Sequence, residues 1–179
     1  MNIIVIGNGP SLLENNNGKL IDLFDYVVRF NNFKIKGYEN HTGIKTTHWF
    51  NTIGNQLLEK NIFPDNIVWH SWNWDKDTDK NYKEFLKNYP QSQKTTRKEI
   101  EEIQKYMNDS KYFNYSTGAI AIWMLLKEFS NITITGFDWW EKKDKHHYHN
   151  NGTIGTIHKP EKELAFIKKL ISENKLKFL

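Results

Sequence analysis

Short apolar runs alternate with segments of helical periodicity along the chain. Five runs are typical of strands: 2–6 (NIIVI), 25–31 (DYVVRFN), 66–70 (NIVWH), 131–135 (NITIT) and the closing KLKFL. Helical periodicity lies between them, at 118–129 and again from Pro160 to the end of EKELAFIKKLISEN. Strands that alternate with helices in this way indicate an α/β protein with a mostly parallel sheet.

The helical segments differ in character. Ser116 is a suitable N-cap for 118–129 (GAIAIWMLLKEF), which is apolar on all sides and therefore predicted to be buried. The last helix is amphipathic and has a proline in its first turn, where proline is tolerated. The stretch 75–111 is rich in charge and poor in β-branched residues, so we predict two exposed helices and a mobile connection there, a candidate lid.

Composition narrows the class of protein. A chain of 179 residues with 38% hydrophobic and 15% aromatic residues predicts one folded domain, 1–179, and excludes a disordered chain. The net charge of +4 suits an anionic small ligand or an anionic membrane surface and is too weak to indicate nucleic acid. Without cysteine there is no disulfide and no cysteine nucleophile.

Targeting signals are not recognisable. The first apolar run is too short for a signal peptide, and no segment reaches the roughly 18 to 20 apolar residues of a membrane span. We therefore expect a soluble chain, located in the cytoplasm or, in a bacterium, peripherally on the inner membrane.

The turn after the first strand, Gly7-Asn8-Gly9-Pro10-Ser11, resembles the start of a dinucleotide fold. However, Leu12 replaces the third glycine of that fingerprint, and Asn31 stands where the ribose-binding acid belongs, so NAD and FAD are excluded. No P-loop sequence is present either. Glycines still allow close approach to a ligand, a helix start favours an anion, and the Asn8 amide suits sugar hydroxyls or phosphate. The alternative is an ordinary strand-to-helix turn.

Four motifs in order resemble those of the sialyltransferases, both bacterial and eukaryotic. The large motif is similar to Gly7-Asn8-Gly9 through Arg29-Phe30-Asn31 to 43–47 (GIKTT). The small motif is similar to Ser116-Thr117-Gly118 followed by Gly136-Phe137-Asp138. The two short motifs are similar to His147-Tyr148 and to His158 with Glu163 (His-x-x-x-x-Glu). The stretch 52–111 carries no such resemblance.

The resemblance implies a fold and a reaction. The fold would be a Rossmann-like α/β/α sandwich that forms a single glycosyltransferase domain, with the donor at the carboxyl ends of the strands. The reaction would move sialic acid from CMP-sialic acid to a glycan or lipo-oligosaccharide hydroxyl, with inversion, without a metal and without a separate cofactor. Another CMP-activated keto sugar such as Kdo shares the donor carboxylate and stays an alternative.

Residue roles follow from the same resemblance. His158 is the candidate general base, because an imidazole takes up protons near neutral pH, and His147 with Tyr148 would hydrogen-bond the leaving phosphate. For Glu163, capping the last helix and orienting a loop are equally open. The remaining donor-binding candidates are the nucleotide and sugar contacts Asn8, Gly9, Asn31 and Asn51, the carboxylate contacts Ser116, Thr117 and Gly118, and the ribose or cytosine contacts Gly136 and Asp138.

Other functions remain open at this point. The histidines at 146, 147 and 149 are an alternative zinc site, and Asp75, Asp77 and Asp79 form either a metal loop or a helix-capping acidic run. A non-catalytic CMP-binding domain would carry the same motifs without turnover. An RNA-binding domain would show strongly salt-dependent binding.

Overall fold

A parallel sheet forms the centre of the molecule. The computed structural model describes residues 1–52, 64–70, 79–112, 114–138, 147–149 and 158–179. In these ranges seven strands pair in the order β5-β4-β3-β2-β1-β6-β7, and every pairing is parallel. The strands are β1 (Ile3–Ile6), β2 (Tyr26–Phe30), β3 (His48–Asn51), β4 (Asn66–Trp69), β5 (Gln93–Lys94), β6 (Ile132–Thr135) and β7 (Leu176–Phe178). The predicted parallel sheet is confirmed.

Helices cover both faces of this sheet. They are α1 (Gly18–Ile21), α2 (Glu39–Thr42), α3 (Lys80–Asn88), α4 (Arg97–Met107), α5 (Thr117–Leu125) and α6 (Pro160–Ser172), with a 3₁₀ turn at Pro10–Glu14. Side chains alternate along β1: Ile3 and Val5 pack with α4, α5 and α6, whereas Ile4 and Ile6 pack with Ile21 of α1. Both faces of β1 are therefore buried, which is why β1 is an apolar run, and the predicted α/β/α sandwich is confirmed.

The two helices with clear sequence signals form as predicted. The hydroxyl of Ser116 caps α5 by accepting a hydrogen bond from the backbone N–H of Ala119 at 3.3 Å. Helix α5 is buried along nearly its whole length, and α6 begins at Pro160 and buries Phe166 and Leu170.

The stretch 75–111 is more firmly built into the fold than its composition suggests. Its described part contains the two predicted helices, α3 and α4, and also β5, which was not predicted and pairs with β4. Helix α3 buries Tyr82 and Phe85 beneath Trp69, and α4 buries Ile100 and Ile103. The two predicted exposed helices form, and each also has one apolar face that the sheet covers. A role as a lid stays a prediction.

The strand order reverses beside β1. The chain runs from β1 outward to β5 on one side and then returns to place β6 and β7 on the other. Open α/β sheets bind ligands at the carboxyl ends of the strands at such a switch point, which here lies between β1 and β6.

Candidate functional site

The predicted asparagines lie at the carboxyl edge of the sheet. Asn8 follows β1, Asn31 follows β2, and Asn51 is the last residue of β3. Gly136 follows β6, on the other side of the switch point. The structure therefore brings these four candidates to one edge, where a donor nucleotide would be expected.

The glycine turn after β1 is packed against the turn after β6. The N–H of Gly9 donates to the carbonyl of Gly136 at 2.8 Å. A Cβ on Gly9 would lie 2.3 Å from Oδ2 of Asp138, and one on Gly7 would lie 2.1 Å from the Gly136 carbonyl oxygen. These glycines are thus required by contact within the protein, whereas the sequence suggested close approach to a ligand.

A carboxylate of the protein itself binds at the start of the 3₁₀ turn. The backbone N–H of Ser11 donates to Oδ2 of Asp138 at 3.0 Å, so the chain supplies its own anion where the sequence suggested a bound one. One carboxylate oxygen of Asp138 therefore anchors this turn. Contact of Asp138 with ribose or cytosine through the other oxygen stays a prediction.

Asn31 is held in an unusual and well-defined position. Its backbone is left-handed, with φ of 46°, a conformation that asparagine tolerates better than most residues. Its Oδ1 accepts hydrogen bonds from the N–H and the hydroxyl of Thr52, at 2.9 and 3.0 Å. Because these bonds fix the amide, Nδ2 is left as a donor with no partner in the described ranges.

Asn8 and Asn51 are tied more closely to the backbone around them. Nδ2 of Asn8 donates to the carbonyl of Phe30 at 3.2 Å, so this amide joins the ends of β1 and β2. Asn51 is fully buried, and its carbonyl accepts from the N–H of His70 at 2.9 Å. Both residues shape the sheet edge, and their contact with a nucleotide stays a prediction.

His158 precedes α6 and is held in one tautomer. Its Nδ1 lies 2.6 Å from the carbonyl oxygen of Asn114, which can only accept, so Nδ1 carries the proton. Nε2 therefore presents a lone pair. The side chain is 27% exposed, and its role as general base stays a prediction.

Glu163 connects the start of α6 to the start of α5. Its carboxylate accepts from the N–H of Ser116 at 2.6 Å and from the Ser116 hydroxyl at 2.7 Å. Glu163 is only 6% exposed, and this burial raises the pKa of its carboxyl above the usual value. Its Oε1 lies 3.9 Å from Nδ1 of His158, so the same carboxylate also adjoins the candidate base.

Ser116 was predicted to bind the carboxylate of the donor sugar, but in the structure it binds the carboxylate of Glu163. Both of its hydrogen-bond donors are used by Glu163. Thr117 is buried in the first turn of α5, and a Cβ on Gly118 would lie 2.9 Å from the ring of Phe137. Gly118 is thus required by packing as well. Binding of an anion by the N-terminal turn of α5 stays a prediction.

Tyr148 is a buried structural residue. Its backbone N–H donates to the carbonyl of Asn8 at 2.9 Å, which brings 147–149 against the glycine turn. Its hydroxyl accepts from the N–H of Lys34 at 2.8 Å and donates to the Lys34 carbonyl. With both functions used, this geometry does not support direct contact with a leaving phosphate. His147 precedes Tyr148 and stacks on His149, with ring centroids 5.5 Å apart. A hydrogen bond from His147 to the leaving phosphate stays a prediction.

Sequence relatives match the beginning of the chain. The model of glycosyltransferase family 29 (sialyltransferase) matches residues 2–63. The human and rat enzymes named CMP-N-acetylneuraminate-beta-galactosamide-alpha-2,3-sialyltransferase 4 are each 43% identical over 44 residues. This match covers 25% of the chain and only 13% of the length of those enzymes.

Solved structures match nearly the whole chain. A mammalian sialyltransferase superposes with a TM-score of 0.75 at 18% identity, over 99% of this chain and 68% of its own. The chain has the sialyltransferase fold. The sialyltransferase CstII from Campylobacter jejuni, in complex with CMP-3FNeuAc, gives a TM-score of 0.66 at 20% identity, over 100% and 81%. The resemblance inferred from the four motifs is confirmed.

His70 lies at the same carboxyl edge of the sheet as the asparagines and was not among the candidates predicted from the sequence. It directly follows β4, is 1% exposed, and its Nδ1 lies 2.9 Å from the hydroxyl of Thr95. Burial, with a smaller contribution from the charge of His158, lowers the pKa of His70 to about 4, so the ring is neutral near pH 7. The signal was present: a polar residue ends the predicted strand 66–70, as Asn31 ends the predicted strand 25–31.

Arg29 explains why two parts of the large sialyltransferase motif occur together. Its guanidinium is buried and donates to the carbonyls of Thr42, Gly43 and Lys45 at 2.7 to 3.2 Å. Burial lowers its pKa to about 10, so it stays charged at neutral pH. The arginine of RFN therefore fixes the GIKTT loop that leads into β3.

The two metal alternatives lie only partly within the described residues. No group of three or more metal-ligating side chains is assembled within the described ranges. Asp79 caps α3 and forms a buried ion pair with Lys94 at 3.0 Å, while Asp75, Asp77 and His146 lie outside those ranges. None of the described helices is long and apolar enough to cross a membrane.

Proposed function

We propose that this chain transfers sialic acid from CMP-sialic acid to a glycan hydroxyl. The sialyltransferase fold over nearly the whole chain and the family match over residues 2–63 support this activity. A solved sialyltransferase with this fold, CstII, binds both CMP and a trisaccharide acceptor, at a TM-score of 0.68 and 18% identity. We propose a glycan or lipo-oligosaccharide as the acceptor here, and contact with an anionic membrane surface stays a prediction.

The tautomer of His158 is the observation that carries the mechanism. Because Nδ1–H is committed to the Asn114 carbonyl, Nε2 can take the proton of the acceptor hydroxyl as that oxygen attacks the anomeric carbon. The attacking oxygen and the departing CMP stand on opposite faces of the sugar in one displacement. The product is therefore inverted at that carbon.

The carboxyl edge of the sheet would hold the donor. Nδ2 of Asn31 is a fixed donor beside the switch point, and the glycine turn with Asn8 lies on the neighbouring strand. His147 lies against that turn, so its imidazole can donate to the phosphate as charge develops there. Stabilisation by hydrogen bonds of this kind removes the need for a metal ion.

His158→Ala tests the proposal, and His41→Ala is the matched control. His41 is a surface histidine whose Nδ1 also lies 2.8 Å from a backbone carbonyl, that of Asn15, but it stands on α2. We expect kcat for CMP release from CMP-sialic acid, with a β-galactoside acceptor, to fall about 10² to 10⁴-fold in His158→Ala and to stay unchanged in His41→Ala.

Measuring CMP affinity distinguishes loss of the general base from loss of the folded donor site. Calorimetry should show the same affinity for CMP in wild type and His158→Ala, because the base contacts the acceptor and not the nucleotide. Activity of His158→Ala within tenfold of wild type would exclude His158 as the base. CMP binding by the wild type with no turnover of any acceptor would identify a non-catalytic CMP-binding domain instead.

A further inference from the structure

A cavity lies at the edge of the sheet opposite the candidate active site. It has a volume of about 550 Å³ and is formed between the amino ends of β2, β3 and β4 and the helices α4 and α5. Pockets of 300–1,000 Å³ typically hold small molecules. The strands separate the two edges by roughly 15 Å, since each residue of a strand spans about 3.3 Å. This cavity is therefore distinct from the donor site.

Aromatic rings form one wall of the cavity. Tyr26 packs edge-to-face against His48, with ring centroids 5.5 Å apart, and against Phe129 at 5.2 Å. Phe50 contributes a further ring from β3. The faces of such rings carry partial negative charge and attract cations, most strongly where water is excluded.

The charged lining of the cavity is acidic. Lys127 is matched by carboxylates of α4, lying 2.7 Å from Glu102 and 3.8 Å from Glu99. Asp65 and Glu128 also line the cavity, and neither forms an ion pair within the described ranges. The C-terminal end of α5 adds the negative end of a helix dipole at the same place. Among the described lining residues, the carboxylates of Asp65, Glu99 and Glu128 outnumber the cations, which are Lys127 and the ammonium of Met1, itself 3.9 Å from Asp25.

His48 provides a polar atom on the cavity wall. The residue is 8% exposed, and its Nδ1 lies 2.9 Å from the Thr47 hydroxyl, while Nε2 has no hydrogen-bond partner in the described chain. Burial lowers the pKa of His48, and the charges of Glu128 and Asp65 oppose this shift, which places both carboxylates near the ring. The imidazole is therefore neutral near pH 7 and does not repel a cation.

We propose that this cavity binds a small organic ammonium ion with an apolar body. The rings would contact the cation and its alkyl groups, and Glu128 and Asp65 would balance its charge. An anionic nucleotide or sugar is disfavoured by the same carboxylates, so the occupant differs in class from the proposed donor. The proposal stands independently of the transferase activity.

Matched probes test this assignment. Choline and butylammonium are the cations, and their uncharged counterparts of closely similar shape are 3,3-dimethyl-1-butanol and 1-butanol. Calorimetry and saturation-transfer NMR should detect binding of at least one cation and no binding of its neutral counterpart. Glu128→Gln should weaken this binding at least fivefold, whereas Glu84→Gln, an exposed carboxylate on α3 across the sheet, should not change it.

A second variant and a competition experiment complete the test. Tyr26→Leu, which keeps an apolar side chain but removes the ring, should weaken cation binding, and CMP should not compete. Co-sedimentation with phosphatidylcholine vesicles distinguishes two sources of the ammonium group. If the cavity binds a lipid headgroup, the protein should sediment with the vesicles. If it binds a free ammonium ion, the protein should stay in the supernatant. Equal binding of a cation and its neutral counterpart, or no binding of either cation, would overturn the proposal.

Discussion

Glu163→Gln removes the charge of a buried carboxylate while keeping its shape. In the wild type the carboxylate accepts two hydrogen bonds from Ser116 at 2.6 and 2.7 Å, but it is only 6% exposed. Glutamine can accept from the Ser116 N–H and donate to the Ser116 hydroxyl oxygen, which also accepts from Ala119, so the contact is kept but the hydroxyl proton loses its acceptor. The variant therefore removes the buried charge together with one hydrogen bond, and only the pH-dependent part of its effect reports the charge.

The pH dependence follows from the direction in which the pKa moves on folding. Burial raises the pKa of Glu163 above 4.5, so the unfolded chain loses this proton at lower pH than the folded protein does. Wild type should then lose stability relative to Glu163→Gln as pH rises from about 4.5 to the folded pKa, and the difference should level off above it. The variant should therefore be more stable relative to wild type at pH 8 than at pH 4.5.

Removing the side chain should have the opposite effect. Glu163→Ala leaves the Ser116 N–H and hydroxyl without their acceptor in a buried place. An unsatisfied buried donor costs about 1–3 kcal/mol, so this variant should lose about 2–5 kcal/mol of unfolding free energy at every pH.

Urea unfolding followed by tryptophan fluorescence, between pH 4.5 and 8, measures these differences. Glu161→Gln is the control, because Glu161 is an exposed carboxylate in the same helical turn. Repeating the series in the His158→Ala background removes the titration of the neighbouring imidazole. The opposite result would be an unfolding free energy of wild type that rises relative to that of Glu163→Gln as pH rises. The hydrogen bonds from Ser116 would then outweigh burial, and a raised pKa for Glu163 would be refuted.

Two further substitutions test contacts around the glycine turn. Gly9→Ala places a Cβ 2.3 Å from Oδ2 of Asp138 and should cost about 1–3 kcal/mol of unfolding free energy in urea; adding Asp138→Ala should recover part of this loss, and additive costs would contradict the contact. Tyr148→Phe removes the hydroxyl that bonds Lys34 and should cost about 1 kcal/mol while kcat changes less than threefold; a kcat loss beyond tenfold at unchanged stability would restore Tyr148 as a phosphate contact.

Local pattern was sufficient for much of the fold. Strands β1, β2, β4 and β6 and helices α5 and α6 form where periodicity predicts them, because each buries enough apolar side chains to produce a continuous signal. Strand β7 also forms where predicted, although only Leu176 of its three residues is buried. Two strands were not recognised. β3 (HWFN) has polar residues at both ends of only four, and β5 has two residues, so neither forms an apolar run.

The sequence predicted that the candidate residues meet at one edge of the sheet, and the structure places them there, while their roles toward a ligand stay predictions. The order of the motifs indicated a sialyltransferase, and the carboxyl edge of a parallel sheet indicated where the asparagines would meet. Which motif residues face a ligand and which bind one another depends on contacts between distant segments. Glu163 and Ser116 are 47 positions apart, and Lys34 and Tyr148 are 114 apart.

The sequence by itself therefore determined the class of fold, the edge that carries the site and the candidate base. Only the tertiary structure decided that Asp138 fills the start of the turn at Ser11, 127 positions away, and that Gly9 is small to admit that carboxylate. Periodicity records which side of an element is buried. It does not record which polar atom, from another part of the chain, satisfies a hydrogen bond there, because that choice exists only once the strands and helices are packed.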